Sequence, residues 1–220
     1  METLTLTPED AETLLAARAR ALCGTGSRTV LGLAGGPGVG KSSLATRLVE
    51  TLNATVPGLA AYVPMDGFHM RHAKLEALGT AADKGMPHTF EGAAFAQFLA
   101  GLKIANTAVS GPGYSRKIED VVDDAFTVAP ETQLLVVEGN YLLIADPPWH
   151  AVRPLIDLAV FLDVPREIVR ARLMKRHAEE GLFTEERNRA HIERVDLANY
   201  DLVSGTRQHA DLVLSLVTPT

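Results

Sequence analysis

Residues 35–42 read GGPGVGKS and fit the pattern G-x-x-x-x-G-K-[ST] of a phosphate-binding P-loop. The apolar run 29–34 before the motif predicts a β-strand, and Leu44, Leu48 and Leu52 after it repeat at helical spacing. A strand, a glycine loop and a helix in this order bind phosphate, because loop N–H groups and the positive end of the helix dipole converge on an anion. The sequence therefore predicts a nucleoside triphosphate site. The residues expected to bind ATP are Gly35, Gly36, Pro37, Gly38, Val39, Gly40, Lys41, Ser42 and Ser43.

Two side chains of the motif and one acid further along the chain are candidates for phosphate and magnesium binding. Lys41 would reach the β- and γ-phosphates, and the Ser42 hydroxyl would coordinate Mg²⁺. The apolar run 133–137 predicts a buried strand that ends in Glu138, two residues before Asn140. An acid in this place would hold Mg²⁺ directly or through water. The alternative is that Glu138 is a solvated strand end. Asn140 is a candidate for substrate binding.

A second acid follows another predicted strand. The apolar run 59–65 is followed directly by Asp66. Ligands of parallel sheets bind at the carboxyl ends of the strands, so we expect Asp66 to point into the same crevice as the P-loop. Asp66 could instead cap a helix. His69, three residues later, is interpreted as a pocket-lining or solvated side chain rather than as a metal ligand.

Two arginines and a polar segment follow a later strand. A helix is expected from about residue 166 to residue 180, where Gly181 ends it. Arg172 and Arg176 lie four residues apart and therefore share a helical face. That face is either an ordinary solvated surface or a clamp on phosphate. The polar segment at about 177–190 is a candidate lid.

Two loops contribute further candidates for the substrate pocket. Lys84 lies in the loop 84–91, which is rich in helix- and strand-breaking residues, and Tyr114 and Arg116 lie in the turn-rich segment 110–116. Residue type alone leaves two interpretations open for both loops, substrate contact or ordinary loop polarity.

The predicted elements alternate between strands and helices along the whole chain. This alternation predicts an α/β fold, a doubly wound parallel sheet layered between helices. We expect a single domain over residues 1–220, with an N-terminal helix in the segment 1–26 that Thr7 caps and Pro8 begins. The segments expected to form strands are 29–34, 59–65, 133–137, 158–165 and 210–215.

Composition limits the partners and the compartment. The formal net charge of −6 argues against a general nucleic-acid binder, which would carry a basic face. The one cysteine, Cys23, fits a reducing compartment, and no apolar run approaches the ~20 residues that cross a bilayer. We therefore expect a cytoplasmic protein that acts on a small molecule, without nucleic-acid or membrane partners. The residues do not decide between a monomer and a homodimer.

Several classes of P-loop protein can be compared with this chain. It contains no Asn-Lys-x-Asp guanine-reading motif and no Leu-Ser-Gly-Gly-Gln signature, which disfavours a GTPase and an ABC-type ATPase. Helicases and DNA motors are usually larger and more basic. A small-molecule kinase needs only a P-loop, an acid near the acceptor, a second acid for the metal and arginines on a lid. The alternative is a regulatory ATPase or nucleotide-binding module without a small-molecule acceptor.

A set of motifs in one order resembles the phosphoribulokinase/uridine kinase family, which includes bacterial pantothenate kinase. The chain is most similar to a short bacterial branch described as nucleoside/nucleotide kinase-like or as fructose transport system kinase. The resemblance extends from about residue 29 to the C-terminus. The motifs are GGPGVGKSS at 35–43, MDGF at 65–68, KGMPHTF at 84–90, YSR at 114–116, VEGNYLL at 137–143 and FLDVP at 161–165.

The resemblance implies a fold, a reaction and several site residues. It implies a five-stranded parallel core and transfer of phosphate from Mg-ATP to a hydroxyl of a small metabolite. It implies that Asp66 is the base that faces this hydroxyl and that Tyr114 and Arg116 lie in the acceptor pocket. Arg172 and Arg176 match the lid arginines of uridine-kinase-like members.

The chain also departs from the family pattern in two places. Pantothenate kinase-like members usually carry histidine where Arg116 stands, so a sugar or nucleoside-like acceptor is favoured over pantothenate. The Arg-Gly-Arg lid segment of uridine-kinase-like members is absent, and the sequence Gly-Leu-Phe at 181–183 stands in that area.

Overall fold

The computed structural model describes residues 1–24, 26–181 and 184–217. The strands are β1 (Glu2–Leu6), β2 (Thr29–Ala34), β3 (Ala60–Pro64), β4 (Val109–Ser115), β5 (Asp120–Val128), β6 (Leu134–Gly139), β7 (Leu158–Asp163) and β8 (Leu212–Leu216). The α-helices are α1 (Pro8–Leu22), α2 (Lys41–Thr55), α3 (His72–Ala77), α4 (Gly92–Ile104), α5 (Arg166–Glu180), α6 (Glu185–His191) and α7 (Leu197–Ser204). A π-helical segment, Ile192–Asp196, joins α6 to α7.

Six of the strands form one parallel sheet in the order β1-β8-β7-β2-β6-β3. From β2 the chain first adds β3 and β6 on one side of β2 in the sheet, and it then adds β7 and β8 on the other side. The carboxyl end of β2 therefore lies where the direction of winding reverses, which is the place where ligands bind in such sheets. The predicted α/β class, with a doubly wound parallel sheet, is confirmed.

The core has two apolar layers, one on each face of the sheet. Successive side chains of a strand point to opposite faces, and on β2 Leu31 and Leu33 join one cluster whereas Val30 and Ala34 join the other. The first cluster contains apolar side chains of α1, α2 and α5, and the second contains those of α4. This confirms the predicted layering of helix, sheet and helix.

The expectation of a five-stranded core was wrong by one strand. Residues Glu2–Leu6, which lie in the segment expected to be helical, form β1 at the edge of the sheet and pair in parallel with β8. Leu4 and Leu6 alternate with threonines and pack against the core, whereas the intervening side chains are exposed. The run is short and half polar, so only its period of two could have indicated a strand. The predicted helix follows it, with Thr7 as its N-cap and Pro8 as its first residue.

A second difference is the antiparallel hairpin of β4 and β5, because the segment 110–116 was expected to be rich in turns and no strand was predicted over 120–128. Gly111, Pro112 and Gly113 lie inside β4, where the register with β5 shifts. Glycine and proline disfavour regular strands, and they are found at such irregularities. The hairpin packs against the turn Met65–Phe68, which brings its residues Tyr114 and Arg116 towards the end of β3.

The helices around the candidate lid follow the expected pattern in part. The helix α5 spans the predicted range, and Gly181 ends it in the left-handed conformation at φ 63°. The last helical region begins at Glu185 rather than at residue 190, with Thr184 as its N-cap. Residues 182 and 183 of the candidate lid lie outside the described residues. Within the described ranges, no helix is both long enough and apolar enough to cross a membrane.

Candidate active site

The P-loop connects β2 to α2 and holds its lysine in a buried position. Gly40 precedes α2 with φ 100°, a left-handed conformation that favours glycine. The Lys41 Nζ atom donates hydrogen bonds to the Gly36 carbonyl at 2.9 Å and to the Asn140 Oδ1 atom at 2.7 Å. Burial lowers the pKa of Lys41, and the Glu138 and Asp66 carboxylates oppose this shift. The loop therefore presents an ammonium group whose present partners are both neutral oxygens.

Glu138 lies at the centre of the carboxyl edge of the sheet. In the strand register it stands beside Leu33 of β2 and Pro64 of β3. Its Oε1 atom accepts hydrogen bonds from the Ser42 hydroxyl at 3.1 Å and from the Tyr62 hydroxyl at 2.7 Å. Burial and the nearby Asp66 carboxylate raise its pKa. Glu138 is therefore a buried strand end that faces the P-loop, and it is not solvated.

The oxygens of Ser42 and Glu138 suit a magnesium ion. Mg²⁺ prefers oxygen ligands, and it usually binds through one or two protein groups together with phosphates and water. The 3.1 Å contact places a hydroxyl and a carboxylate oxygen side by side next to the loop. In the described part of the chain, no three histidine, cysteine, aspartate or glutamate side chains cluster as a metal cage. This donor set fits an ion that shares its coordination with a nucleotide.

Asp66 occupies a tight turn directly after β3. An added Cβ atom at the next residue, Gly67, would lie 2.0 Å from the Pro112 carbonyl oxygen of β4, so glycine permits the close approach of the hairpin. The Asp66 carboxylate influences the pKa values of both Lys41 and Glu138. Asp66 is not the N-cap of this turn or of α3. The structure therefore turns Asp66 towards the P-loop rather than using it as a helix cap.

The side of the cavity near Asp66 is aromatic and cationic. The His69 ring lies between Phe90, with centroids 3.9 Å apart, and Tyr114, with centroids 4.5 Å apart. The Lys84 Nζ atom is 5.4 Å from the centroid of the Tyr114 ring and donates to the Glu119 carbonyl. Burial lowers the pKa values of both His69 and Lys84. A small molecule bound here would meet a ring face and a cation.

The helix α5 brings its two arginines to the opposite wall. The Arg172 Nη1 atom donates to the Val39 carbonyl of the P-loop at 3.4 Å. Arg176 lines the same cavity, and its charge helps to lower the Lys41 pKa. One residue further, His177 pairs with Asp196 of the π-helical segment at 3.2 Å. The arginine-bearing face therefore borders the cavity beside the P-loop, with Arg172 exposed and Arg176 partly buried.

The loop that carries Lys84 is attached to two other elements at one atom. The Gly85 carbonyl accepts a hydrogen bond from the Asn199 Nδ2 atom of α7 at 2.8 Å and another from the Tyr141 hydroxyl after β6. The Arg194 guanidinium adds a bond to Asp83 at 3.0 Å. The loop of Lys84, the segment after β6 and the helical region 192–204 are thus joined.

One cavity of about 680 Å³ gathers nearly all of the predicted site residues. Gly35 and Gly36 do not line it, although the Gly36 carbonyl accepts from Lys41. The predicted residues that line it are Pro37, Gly38, Val39, Gly40, Lys41, Ser42, Ser43, Asp66, His69, Lys84, Tyr114, Arg116, Glu138, Asn140, Arg172 and Arg176.

The sequence analysis missed several polar residues around this cavity. Tyr62 lies in an apolar strand, where a tyrosine is expected to serve packing, and its bond to Glu138 depends on strand pairing. His177, Asp196 and Asn199 lie on helices whose relative packing the sequence does not show. One feature of the sequence could have indicated Tyr62. Side chains two residues apart on a strand share a face, so Tyr62 shares a face with Pro64, and Pro64 lies two residues before Asp66.

The fold and the cavity together define a P-loop kinase. The chain belongs to the phosphoribulokinase/uridine kinase family, whose sequence model matches residues 30–220. It is 34% identical over 194 residues to the protein named "Putative uridine kinase C227.14" of Schizosaccharomyces pombe, covering 85% of this chain and 83% of that protein. P-loop kinases of this family act on small molecules and use ATP with Mg²⁺.

Two further relatives have different names. A crystal structure titled "putative fructose transport system kinase" from Silicibacter sp. TM1040 superimposes with a TM-score of 0.83 at 32% identity, covering 94% of this chain and 98% of that chain. A pantothenate kinase of Streptomyces coelicolor is 34% identical over 141 residues, covering 63% of this chain and 43% of that protein. The names of the relatives agree on a kinase and differ on the acceptor.

Proposed function

We propose that this protein transfers the γ-phosphate of ATP to a hydroxyl group of a small sugar or nucleoside-like metabolite. The observation that carries the proposal is that Asp66 and Lys41 line one cavity from different strands. Asp66 follows β3, Lys41 follows β2, and β6 with Glu138 lies between them. In this proposal Asp66 is the proton acceptor, Lys41 binds phosphate, and Glu138, which lies between them on β6, binds magnesium.

The phosphate side of the reaction belongs to the P-loop. The loop N–H groups and Lys41 would hold the β- and γ-phosphates, and Lys41 would exchange its bonds to Gly36 and Asn140 for phosphate oxygens. Ser42 and Glu138 would hold Mg²⁺, directly or through water. The chemistry that Mg²⁺ supplies when bound is neutralisation of charge on the β- and γ-phosphates.

The acceptor side belongs to Asp66. Its carboxylate would orient the acceptor hydroxyl towards the γ-phosphorus and receive its proton as the new P–O bond forms. Arg172 and Arg176 would neutralise the charge that spreads over the transferred group, a role worth roughly 10³–10⁵ in rate for arginine fingers in general. The lid at about 177–190 would exclude water, which otherwise competes as the acceptor.

The acceptor class is argued from the wall opposite the P-loop. The stack of Phe90, His69 and Tyr114 offers ring faces against which a sugar or a base can pack, and Lys84 and Arg116 offer donors for hydroxyl groups. The names uridine kinase and fructose transport system kinase among the relatives support this class. Pantothenate is less favoured, because Arg116 stands where pantothenate kinase-like members usually carry histidine.

A screen for ADP release over sugars, nucleosides and vitamin precursors tests the proposal. A kinase releases ADP at a rate that rises with its acceptor and saturates. The alternative, a regulatory ATPase or nucleotide-binding module, hydrolyses ATP at a rate that no small acceptor changes. Detection of the phosphorylated acceptor by mass spectrometry separates transfer from stimulated hydrolysis. Acceptor-independent hydrolysis across the whole panel would refute the transferase.

A further inference from the structure

The segment 81–91, which we call the acceptor loop, brings Lys84 and Gly85 to the cavity. The Gly85 carbonyl accepts one hydrogen bond from the Tyr141 hydroxyl and another from the Asn199 Nδ2 atom at 2.8 Å. A carbonyl oxygen has two lone pairs, so these two donors fill its capacity. The position of the acceptor loop beside the cavity therefore depends on the two side chains that meet at this atom.

The first of these side chains leads directly to the lysine of the P-loop. The Asn140 Oδ1 atom accepts a hydrogen bond from the Lys41 Nζ atom at 2.7 Å. Burial raises the pKa of the Tyr141 hydroxyl, and a hydrogen bond with the Asn140 side chain opposes this shift. A chain of hydrogen bonds through these two neighbouring residues therefore joins Lys41 to the Gly85 carbonyl.

The second side chain leads to the other partner of the same lysine. The Gly36 carbonyl accepts a hydrogen bond from the Lys41 Nζ atom at 2.9 Å. An added Cβ atom at Gly36 would lie 2.8 Å from the Tyr200 Cδ2 atom and 3.1 Å from its Cα atom, so Tyr200 packs closely on the P-loop backbone. Tyr200 follows Asn199 directly on α7, and its hydroxyl donates to the Val164 carbonyl at 2.8 Å. Packing of α7 on the P-loop thus completes the second connection.

We propose that these two connections transmit nucleotide binding at the P-loop to the acceptor loop. The positioning residues are Asn140, Tyr141, Asn199 and Tyr200. The inference rests on the proposed function, in which phosphate oxygens replace both partners of Lys41. That replacement changes the surroundings of the Gly36 carbonyl and of the Asn140 amide in the same step. Because both changes lead to one atom of the acceptor loop, a bound nucleotide sets the position of Lys84.

The consequence is that the nucleotide and the acceptor strengthen each other's binding. A nucleotide that orders the acceptor loop lowers the cost of ordering it for the second ligand, which gives positive cooperativity. Linkage requires the effect to be equal in both directions. The helical region that carries the second connection also holds the loop at another point, because Arg194 of the π-helical segment donates to the Asp83 carboxylate at 3.0 Å.

Hydrogen–deuterium exchange measured by mass spectrometry tests the inference on the acceptor loop itself. The ligand is the non-hydrolysable ATP analogue AMPPNP with Mg²⁺, at a concentration that calorimetry shows to be saturating for each variant. The reporters are loop amides with partners inside the loop, Met86 bonded to the Asp83 carbonyl and Thr89 bonded to the Met86 carbonyl. In the wild type we expect the analogue to slow their exchange, because it holds the P-loop and both connections in one arrangement.

Two variants each remove one hydrogen bond to the Gly85 carbonyl, Tyr141→Phe and Asn199→Ala. We expect each variant to reduce the slowing of exchange by the analogue, and we expect the double variant to lose it. A merely structural role would change the exchange without nucleotide and would leave the difference made by the analogue as in the wild type. Asp201→Ala is the matched control on α7, because Asp201 is exposed and pairs with Arg166 at 3.0 Å.

The outcomes separate this inference from the proposed function. Exchange that does not slow in the nucleotide-bound wild type overturns the inference while the P-loop assignment stands. A double variant that keeps the wild-type slowing also overturns it, and so does an equal loss in Asp201→Ala. A wild-type protein that does not bind the analogue overturns the proposed function itself.

Folding of the variants is checked by circular dichroism. Tyr141→Phe keeps the aromatic ring and its packing, whereas Asn199→Ala truncates a buried side chain. If Asn199→Ala fails to fold, unchanged slowing of exchange in Tyr141→Phe overturns the inference by itself.

Discussion

Lys41 and Asn140 meet across the carboxyl edge of the sheet, with the lysine Nζ atom 2.7 Å from the amide Oδ1 atom. The bond joins the first residue of α2 to the segment after β6, and among the described residues the buried ammonium group has no direct carboxylate contact. Its electrostatic consequence is that the ammonium group is aimed at the cavity and is not neutralised by an ion pair. Incoming phosphate oxygens would replace neutral partners only.

Replacement of this lysine should abolish transfer. For Lys41→Ala, we expect weaker ATP binding and a fall in kcat of about 10²-fold or more, because the β- and γ-phosphates lose a positioned cation. Assays of ADP release measure the change in kcat, and calorimetry measures the change in ATP binding. Lys103→Ala is a suitable control, because Lys103 pairs with Asp157 at 2.8 Å and lies outside the cavity. Wild-type transfer by the Lys41 variant would contradict the whole site.

Replacement of Asp66 should separate chemistry from nucleotide binding. For Asp66→Asn, we expect kcat to fall by ~10²-fold or more while ATP affinity stays close to wild type. The reason is that an amide cannot take the proton of the substrate hydroxyl. Steady-state kinetics with the identified acceptor give this comparison. Asp123→Asn serves as the control, since Asp123 is an exposed hairpin residue paired with Arg71 at 2.6 Å. Unchanged turnover would remove Asp66 from the role of base.

Replacement of Tyr62 should raise the Mg²⁺ concentration that gives half-maximal activity and should leave the maximal rate unchanged. Its hydroxyl bonds to the Glu138 Oε1 atom at 2.7 Å, so Tyr62→Phe removes a hydrogen bond that orients the carboxylate. Hydrogen bonds to charged groups contribute about 1.5–3 kcal/mol, so we expect the Mg²⁺ concentration for half-maximal activity to rise about tenfold. Excess Mg²⁺ should restore kcat. A magnesium titration that matches wild type would show that Tyr62 serves packing alone.

Replacement of Arg172 or Arg176 of α5 should slow phosphate transfer without destabilising the helix. For Arg176→Ala, we expect kcat to fall by roughly 10³-fold, the lower end for arginine fingers. Arg170→Ala is the matched control on the same helix, because Arg170 pairs with Glu193 at 2.6 Å and does not line the cavity. Rate measurements on both variants, with thermal unfolding as a check on folding, test this prediction. Equal losses in the two variants would indicate a structural role.

Two partly buried histidines should make the protein sensitive to acid. Burial lowers the pKa values of His69 and His191, so both are neutral in the folded protein where unfolded histidine, with a pKa of about 6.5, begins to protonate. Their contribution to stability is present above this pH and is lost as the pH falls below it. We expect the Tm to decrease between pH 7 and pH 5, and to decrease less in His69→Phe. His150→Gln, at an exposed position, should follow the wild type.

Most of the residues around the P-loop could be predicted from sequence, because their positions follow from the ends of parallel strands. Asp66 and Glu138 each stand at the end of an apolar run, and Lys41 and Ser42 follow the glycine loop that comes directly after another such run. Parallel strands bring such ends to one edge. No knowledge of strand order is needed to place them together. The sequence therefore predicted the shared cavity, while the roles of these residues stay predictions until the variants are measured.

The features that escaped prediction depend on distant pairing. The strand β1 is stabilised by β8, about two hundred residues away, and its short alternation of threonine and leucine carries little local signal. The bond of Tyr62 to Glu138 and the bond of Asn199 to Gly85 depend on how neighbouring elements pack. Local sequence encodes strand and helix preference, and it does not encode which side chains meet across them.

The Gly85 carbonyl receives Tyr141 and Asn199 together, and this has a consequence for movement during turnover. Any outward swing of α7 would pull the loop of Lys84 with it, because the two are tethered at a single oxygen. Lys84 and Asn199 line the same cavity, so one such movement would change two of its walls together.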